Sequence, residues 1–305
     1  MRFTLGEMSL DEYQRYLEIS NYKCIFRHPQ FLRVWVDSIP GTSLRFLIGD
    51  SVVIPGVIFK RGPLKAFYSL PYQTFGGPVG RFKNDLQVEF DFSNFSEVAI
   101  DDPERKMTIP HLYPIESYEA VLDISDGYDR VFSRYSPSRR NLVRRLKRDP
   151  PEIKPVENEK DIEIFYQMYR TFSRSKNIHV FSLKFFKNLL NYLPENTVQI
   201  FIVSRDGPVG YVLNLKSYNK VYGLLLGWRE KDISTFLVDL SIKKAIERGS
   251  KEFSLGLTSP RMKGVLEFKK SFGVNFKPVR TYWKRTFYHN LARDLKTGIK
   301  KWLRF

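Results

Sequence analysis

Residues 197–249 constrain the architecture more tightly than any other part of the chain. TVQIFIVSRDGPVGYVLNLKSYNKVYGLLLGW (197–228) holds three runs rich in β-branched and aromatic residues, parted by two turn signals, Asp206-Gly207 and Tyr218-Asn219-Lys220. Three antiparallel strands are expected. STFLVDLSIKKAIERG (234–249) is then amphipathic at helical spacing, with Gly249 as its C′ residue, and KEFSLGL is a strand after it. A meander followed by a β–α–β step requires a mixed sheet.

The neighbouring segments fit that frame. Residues 158–176 place Ile162, Phe165, Met168, Tyr169 and Phe172 on one helical face. The loop NIHVF leads to a second helix, SLKFFKNLLNYL, capped by Ser182. GVLEFKKSFG (264–273) reads as a short helix ended by glycine, with a final strand behind it. The first half is a looser copy of this order. Helices are expected over 9–20, capped by Ser9, and 28–39, starting near Pro29. A hairpin is expected over 44–59, and extended segments near 65–70, 96–100 and 117–124. YQTFGGPVG (72–80) is a loop, because Gly76-Gly77-Pro78 suits neither strand nor helix. The fold class is therefore α+β.

Charge narrows the partners. The 305 residues carry 50 Lys and Arg against 33 acids, a net charge of +17, which favours phosphates, nucleic acid or an anionic membrane surface. RYSPSRRNLVRRLKR (134–148) holds seven basic residues and no acid, with Ser136 as cap and Pro137 at the first helical position. DPPEIKP then breaks that helix, and the domain boundary is expected nearby: one domain over 1–135, a second over 136–287, and a basic amphipathic helix over 288–305. That last helix is either docked on the core or laid on anionic lipid. With one cysteine, Cys24, and four scattered histidines, neither an internal disulfide nor a metal site is expected. The N-terminus lacks an apolar signal core, and no run approaches the ~20 apolar residues of a membrane span. A cytoplasmic protein is expected, with peripheral contact at the inner membrane surface left open.

The element order of the second half resembles the GNAT fold of acyl-CoA-dependent N-acyltransferases. AIERGSKEFSLG followed by GVLEFKKSFG resembles the signature of the FemAB-type branch, G-x-x-x-F-K-x-x-F-G. FFKNLLNYLPENTVQIFIVSRDGPVGYVLNL, the loop YQTFGGPVG and the Arg-rich SRRNLVRRLKRD are similar to other parts of that branch, so the likeness runs from residue 25 to 285. It implies two tandem GNAT-like domains, each a mixed, mostly antiparallel sheet flanked by helices. Members of the branch move an amino acid from aminoacyl-tRNA to an amine of a peptidoglycan precursor, and BioF2-like relatives are assigned acyl-CoA donors. The resemblance thus implies an N-acyltransferase or aminoacyltransferase acting on an amine of a cell-envelope or similar precursor, in cell wall biogenesis. Its co-substrate would be acyl-CoA or aminoacyl-tRNA, with no tightly bound cofactor and no metal. Two features depart from the branch. No heptad run is long enough for a helical-hairpin arm, and the loop REKDIST lacks the glycines of a GNAT pyrophosphate loop, Q/R-x-x-G-x-G/A. The contrasting reading is a non-catalytic basic module binding RNA or anionic membrane.

Acyl transfer to an amine needs alignment, a place for the amine's proton and donors for the developing oxyanion, not a nucleophilic triad. Backbone amides of 223–228 are candidates for the oxyanion, where Gly223 and Gly227 permit a bulge or splaying; relief of crowding is the plainer reading. By resemblance Lys269 lies near donor phosphates or developing negative charge, whereas Lys270 reaches solvent. His179 is a candidate base in the loop between two helices, with Glu267 and Asp239 as alternatives. Arg229, Lys231, Gly227, Phe268 and Tyr282 are the donor-binding candidates. Arg139, Arg140, Arg144, Tyr72, Gly76 and Gly77 are the candidates for phosphate or acceptor binding.

Overall fold

Glycine, proline and cap residues punctuate the chain where the pattern places them. The structure, a computed structural model, describes residues 1–286 apart from 72, 73, 83, 84 and 231; the helix expected over 288–305 lies outside the described residues. The chain divides into two compact units, Met1–Glu116 with the chain from Val279 on, and Ser117–Pro278.

The first unit runs β1 (Thr4–Gly6), α1 (Leu10–Ile19), α2 (Pro29–Ser38), β2 (Thr42–Ile48), β3 (Val52–Arg61) and β4 (Leu64–Tyr68). The short β5 (Val79–Gly80) and β6 (Leu86–Gln87), then β7 (Glu97–Asp102) and β8 (Met107–Thr108), complete it. The Ser9 side chain accepts from the Glu12 amide at 3.1 Å and starts α1. Pro29 opens α2, but the cap before it is His28, whose Nδ1 accepts from the Gln30 amide at 3.2 Å. The hairpin β2–β3 forms as expected, with Ile48 opposite Val53. β7 lies parallel to β4. The end of β15 (Asn275–Arg285) adds antiparallel to β7, giving the order β1-β2-β3-β4-β7-β15 with β5 beside β3. Leu47, Ile54, Phe67, Val98, Ile100 and Tyr282 are among the core residues.

The second unit takes β9 (Tyr113–Asp123) from Ser117 on, then α3 (Tyr128–Ser133), α4 (Pro137–Arg148) and β10 (Glu152–Pro155). After them come α5 (Glu159–Ser175), α6 (Leu183–Tyr192), β11 (Val198–Ser204), β12 (Pro208–Ser217) and β13 (Lys220–Trp228). α7 (Ile233–Glu247), β14 (Glu252–Thr258) and α8 (Lys263–Lys270) close the unit. Its strands order as β9-β14-β13-β12-β11-β10, antiparallel except for the pair β13–β14. The proline-rich stretch after α4 holds a strand: β10 pairs with β11 from Glu152↔Ser204 to Pro155↔Phe201. Proline is tolerated there because β10 is the sheet's edge. Two apolar clusters cover the sheet. Val143, Val238, Ile242, Phe253 and Phe272 form one, and Leu146, Val212, Leu237 and Leu240 the other. Between α5, α6 and β12 the filling is aromatic: Phe165, Tyr169, Phe186 and Tyr211 meet at centroid distances of 4.9–6.3 Å. Among the described residues no helix is long and apolar enough to cross a membrane.

Candidate active site: a fork between two strands

β13 and β14 begin as partners and then separate. Their parallel pairing covers only Lys220–Tyr222 with Glu252–Ser254, although each strand continues for several residues. Both strands change register just beyond that point. Against β12, Leu213 pairs with Leu225 and Asn214 with Gly223, leaving Leu224 as the extra residue of a bulge. Against β9, Ser254 pairs with Val121 and Leu257 with Glu119, so β14 also carries one residue too many. Gly256 absorbs the distortion at φ +77°, a conformation an L side chain resists. The extra residue of a bulge is left out of its ladder, and both bulges fall beside the place where the strands part. Gly223 and Gly256 keep that gap clear: a Cβ on Gly256 would lie 3.8 Å from the Gly223 carbonyl oxygen.

Buried polar groups line the fork. Glu119 accepts from Ser254 Oγ at 2.6 Å and pairs with Lys220 Nζ at 2.7 Å. Ser254 Oγ accepts in turn from the Gly256 amide at 3.2 Å. Lys269, 7% exposed, reaches from α8 to donate to the carbonyls of Gly256 at 2.9 Å and Leu257 at 3.1 Å and to Thr258 Oγ1. Burial pushes its amine down to about 8, with the nearby Glu119 charge working the other way. The ammonium therefore fastens the distorted end of β14. On β12, opposite Gly223 of β13, Asn214, 1% exposed, donates to Ser241 Oγ at 3.1 Å, while its Oδ1 is buried without a partner. A ligand N–H can satisfy that acceptor. Sequence reasoning missed Glu119 and Asn214; the available signal was one polar residue inside each of two strand patterns, YEAVL and YVLNL.

The start of α7 is the second part of the site. Its N-cap Asp232 makes no side-chain cap bond to the helix and is instead paired with Arg145 of α4. Arg139, also from α4, donates from Nε to Ser271 Oγ at 2.9 Å and from Nη1 to Thr235 Oγ1 in the first turn of α7. Its guanidinium lies 4.8 Å from the Phe268 ring centroid and 5.5 Å from that of Phe272. Burial lowers the Arg139 pKa, and Asp232 partly restores it. Thus α4 carries fixed positive charge to a helix N-terminus, where backbone amides already favour anions. Lys231, in the same connection, lies outside the described residues.

The other expected residues scatter. Arg229 is exposed, its amide held by the Val209 carbonyl at 2.8 Å. Gly227 has a packing reason: the Tyr211 ring crosses it, and a Cβ would lie 2.3 Å from that ring. Arg140 is spent on the Ser133 and Tyr135 carbonyls, while Arg144 is exposed 5.7 Å from the Phe132 ring. Glu267 is exposed on α8. His179 is exposed, its carbonyl accepting from Tyr169 Oη at 3.0 Å and its ring 5.2 Å from Phe181. Asp239 is buried and accepts from Tyr128 and Tyr135, with Lys243 Nζ at 2.6 Å. In the first unit, Tyr282 is buried with its hydroxyl donating to the Met107 carbonyl. Gly76 and Gly77 wrap two buried charges. Arg27, fully buried, donates to the Gly76 carbonyl at 2.8 Å and the Pro78 carbonyl at 2.8 Å, and Asp101 accepts from the Gly76 amide at 3.1 Å. Burial raises the Asp101 carboxyl to about 6. Tyr72 lies outside the described residues. Among those described, no group of acids, His and Cys is placed to hold a metal ion.

The second unit thus combines a meander, a bulged fourth strand, a following helix and a parted fifth strand. Residues 133–270 match the family described as an acetyltransferase (GNAT) domain. Among solved structures, FemX superposes with a TM-score of 0.60 at 10% identity, covering 91% of this chain and 96% of that one. A tandem GNAT protein from the clavulanic acid biosynthesis pathway gives 0.53 at 8% identity over 92% and 97%. Saccharomyces cerevisiae N-myristoyltransferase with bound myristoylCoA gives 0.50 at 10% identity over 92% and 82%. A comparison with curated proteins finds no match. Residues 133–270 thus carry a GNAT domain, and the chain shares the fold of FemX and of the tandem GNAT protein, with no long helical hairpin among the described residues.

Proposed function

We propose that this protein is an N-acyltransferase whose donor is an acyl-CoA and whose acceptor is an amine. The carrying observation is the fork: β13 and β14 part immediately beyond Tyr222 and Ser254, with a bulge on each strand. The donor's extended arm lies in that gap. The backbone amide of Leu224, the extra residue of the β13 bulge, donates to the carbonyl oxygen as it becomes an oxyanion, a contribution worth about 3 kcal/mol where such donors have been removed. Asn214 Oδ1 accepts from an N–H of the donor arm or of the incoming amine. The donor phosphates lie at the first turn of α7, where Arg139 and Arg145 supply the charge that glycine-assisted amides supply in other GNAT loops. The amine nitrogen attacks the thioester carbon, a C–N bond forms and the C–S bond breaks. The departing thiolate and the proton lost from nitrogen balance the charge. Lys269 acts by holding the β14 carbonyls in place, and Asp239 is a packing carboxylate.

Titration calorimetry with acetyl-CoA and longer acyl-CoAs tests this. Saturable binding is expected, weakened about tenfold in Arg139→Gln. Leu224→Pro, which deletes the bulge amide, should keep binding while turnover of a screened amine library falls about 100-fold. Absence of binding by every acyl-CoA would remove the donor assignment. Aminoacyl-tRNA is a second reading, favoured by the run of cations on α4 uninterrupted by any acid. It predicts binding of charged tRNA in the same calorimeter.

A further inference from the structure

The C-terminal half of α5 leaves a cavity of about 340 Å³ against the start of β12 and the end of β13. Its floor is aromatic. Phe172 stands 5.1 Å from Trp228 and 6.2 Å from Tyr211 by ring centroid. Its rim is cationic and hydroxylic, with Lys176 and Arg229 both exposed and Ser175 beside them. No carboxylate lines it among the described residues, and neither cation has an acidic partner there. Two unneutralised cations above an aromatic floor complement one kind of ligand, a negative head on an apolar body. Trp228 stands four residues beyond Leu224 along β13, which at the rise of a strand is about 13 Å from the bulge.

We propose that this cavity is a separate binding site for a small amphipathic anion, with a carboxylate between Lys176 and Arg229 and an aliphatic or aromatic body against Phe172, Tyr211 and Trp228. Arg229, expected to serve the donor, serves this site instead. The volume lies at the lower end of the range for small-molecule pockets, suiting a medium-length fatty or aryl acid rather than a whole lipid.

The test is tryptophan fluorescence of the full chain titrated with decanoate below its micelle-forming concentration, with decylammonium as the control of opposite charge. Trp228→Phe assigns the signal among the four tryptophans. Saturable decanoate binding is expected, at least tenfold weaker in the double variant Lys176→Gln/Arg229→Gln, with decylammonium bound much more weakly. Ser175→Trp, on the exposed side of α5, should block the mouth and abolish binding without disturbing the core. Unsaturable binding, equal affinity in the double variant, or equal affinity for the cation would each overturn the assignment. Competitive displacement of decanoate by CoA would overturn its separateness by placing the cavity within the donor site.

Discussion

Lys269 illustrates how one side chain's chemistry depends on what it touches. The F-K pair implied a cation beside phosphates, but the ammonium is enclosed and its three donors meet two carbonyls and a hydroxyl of β14. Enclosure lowers its pKa from the ordinary 10.5 to about 8, so between those values the unfolded chain holds a proton that the folded chain lacks. Stability should therefore rise as pH climbs from about 8 toward about 10, by on the order of 2–3 kcal/mol. Lys269→Met keeps the bulk and removes the titration. Urea midpoints at pH 7, 8, 9 and 10 should converge on one value for the variant and climb for the parent; parallel profiles would show that the amine titrates normally. Arg27 is the counterpart in the first unit: a lone arginine in CIFRHP gave no hint that it would be wholly buried to hold the Gly76 and Pro78 carbonyls.

At the scale of elements, glycines divide into those that only turn the chain and those that admit a neighbour. Gly249 closes α7 at φ +69° with nothing within 4 Å of where a Cβ would stand. Gly249→Ala should cost only the left-handed backbone, about 1 kcal/mol. Gly77 combines φ +97° with a Cβ position 2.3 Å from the Asp101 carbonyl oxygen. Gly77→Ala should cost about 3 kcal/mol or more, since strain and overpacking add. Denaturant midpoints of the two variants measure the contrast, and equal losses would refute it. The glycine-rich loop was visible in the sequence, but its wrapping around Arg27 and Asp101 was not. Likewise α7 was visible as a capped amphipathic helix, whereas the delivery of Arg139 and Arg145 to its first turn required α4 to pack there. α3 was missed because six residues carry too little periodicity to register. β10 was hidden by its flanking prolines, which an edge strand tolerates.

Across the whole molecule, an excess of +17 charges makes any polyanion a ligand at low salt, so the meaningful quantity is the salt dependence. If charged tRNA uses α4, its affinity should fall steeply with ionic strength. Arg144→Gln with Arg148→Gln, two exposed positions, should then reduce the log–log slope by about 1.5. An unchanged slope would locate the contact elsewhere. The order of helices and strands, their caps and the meander of the second unit were decided by the sequence itself, because turns, caps and periodicity act over a few neighbouring residues. Only the tertiary structure decided where β13 leaves β14, which carboxylate meets Ser254, and that Lys269 and Asp239 are already occupied. Glu119 and Ser254 are 135 residues apart in the chain, and a buried polar group is satisfied by whatever the fold brings to it, which no local pattern encodes.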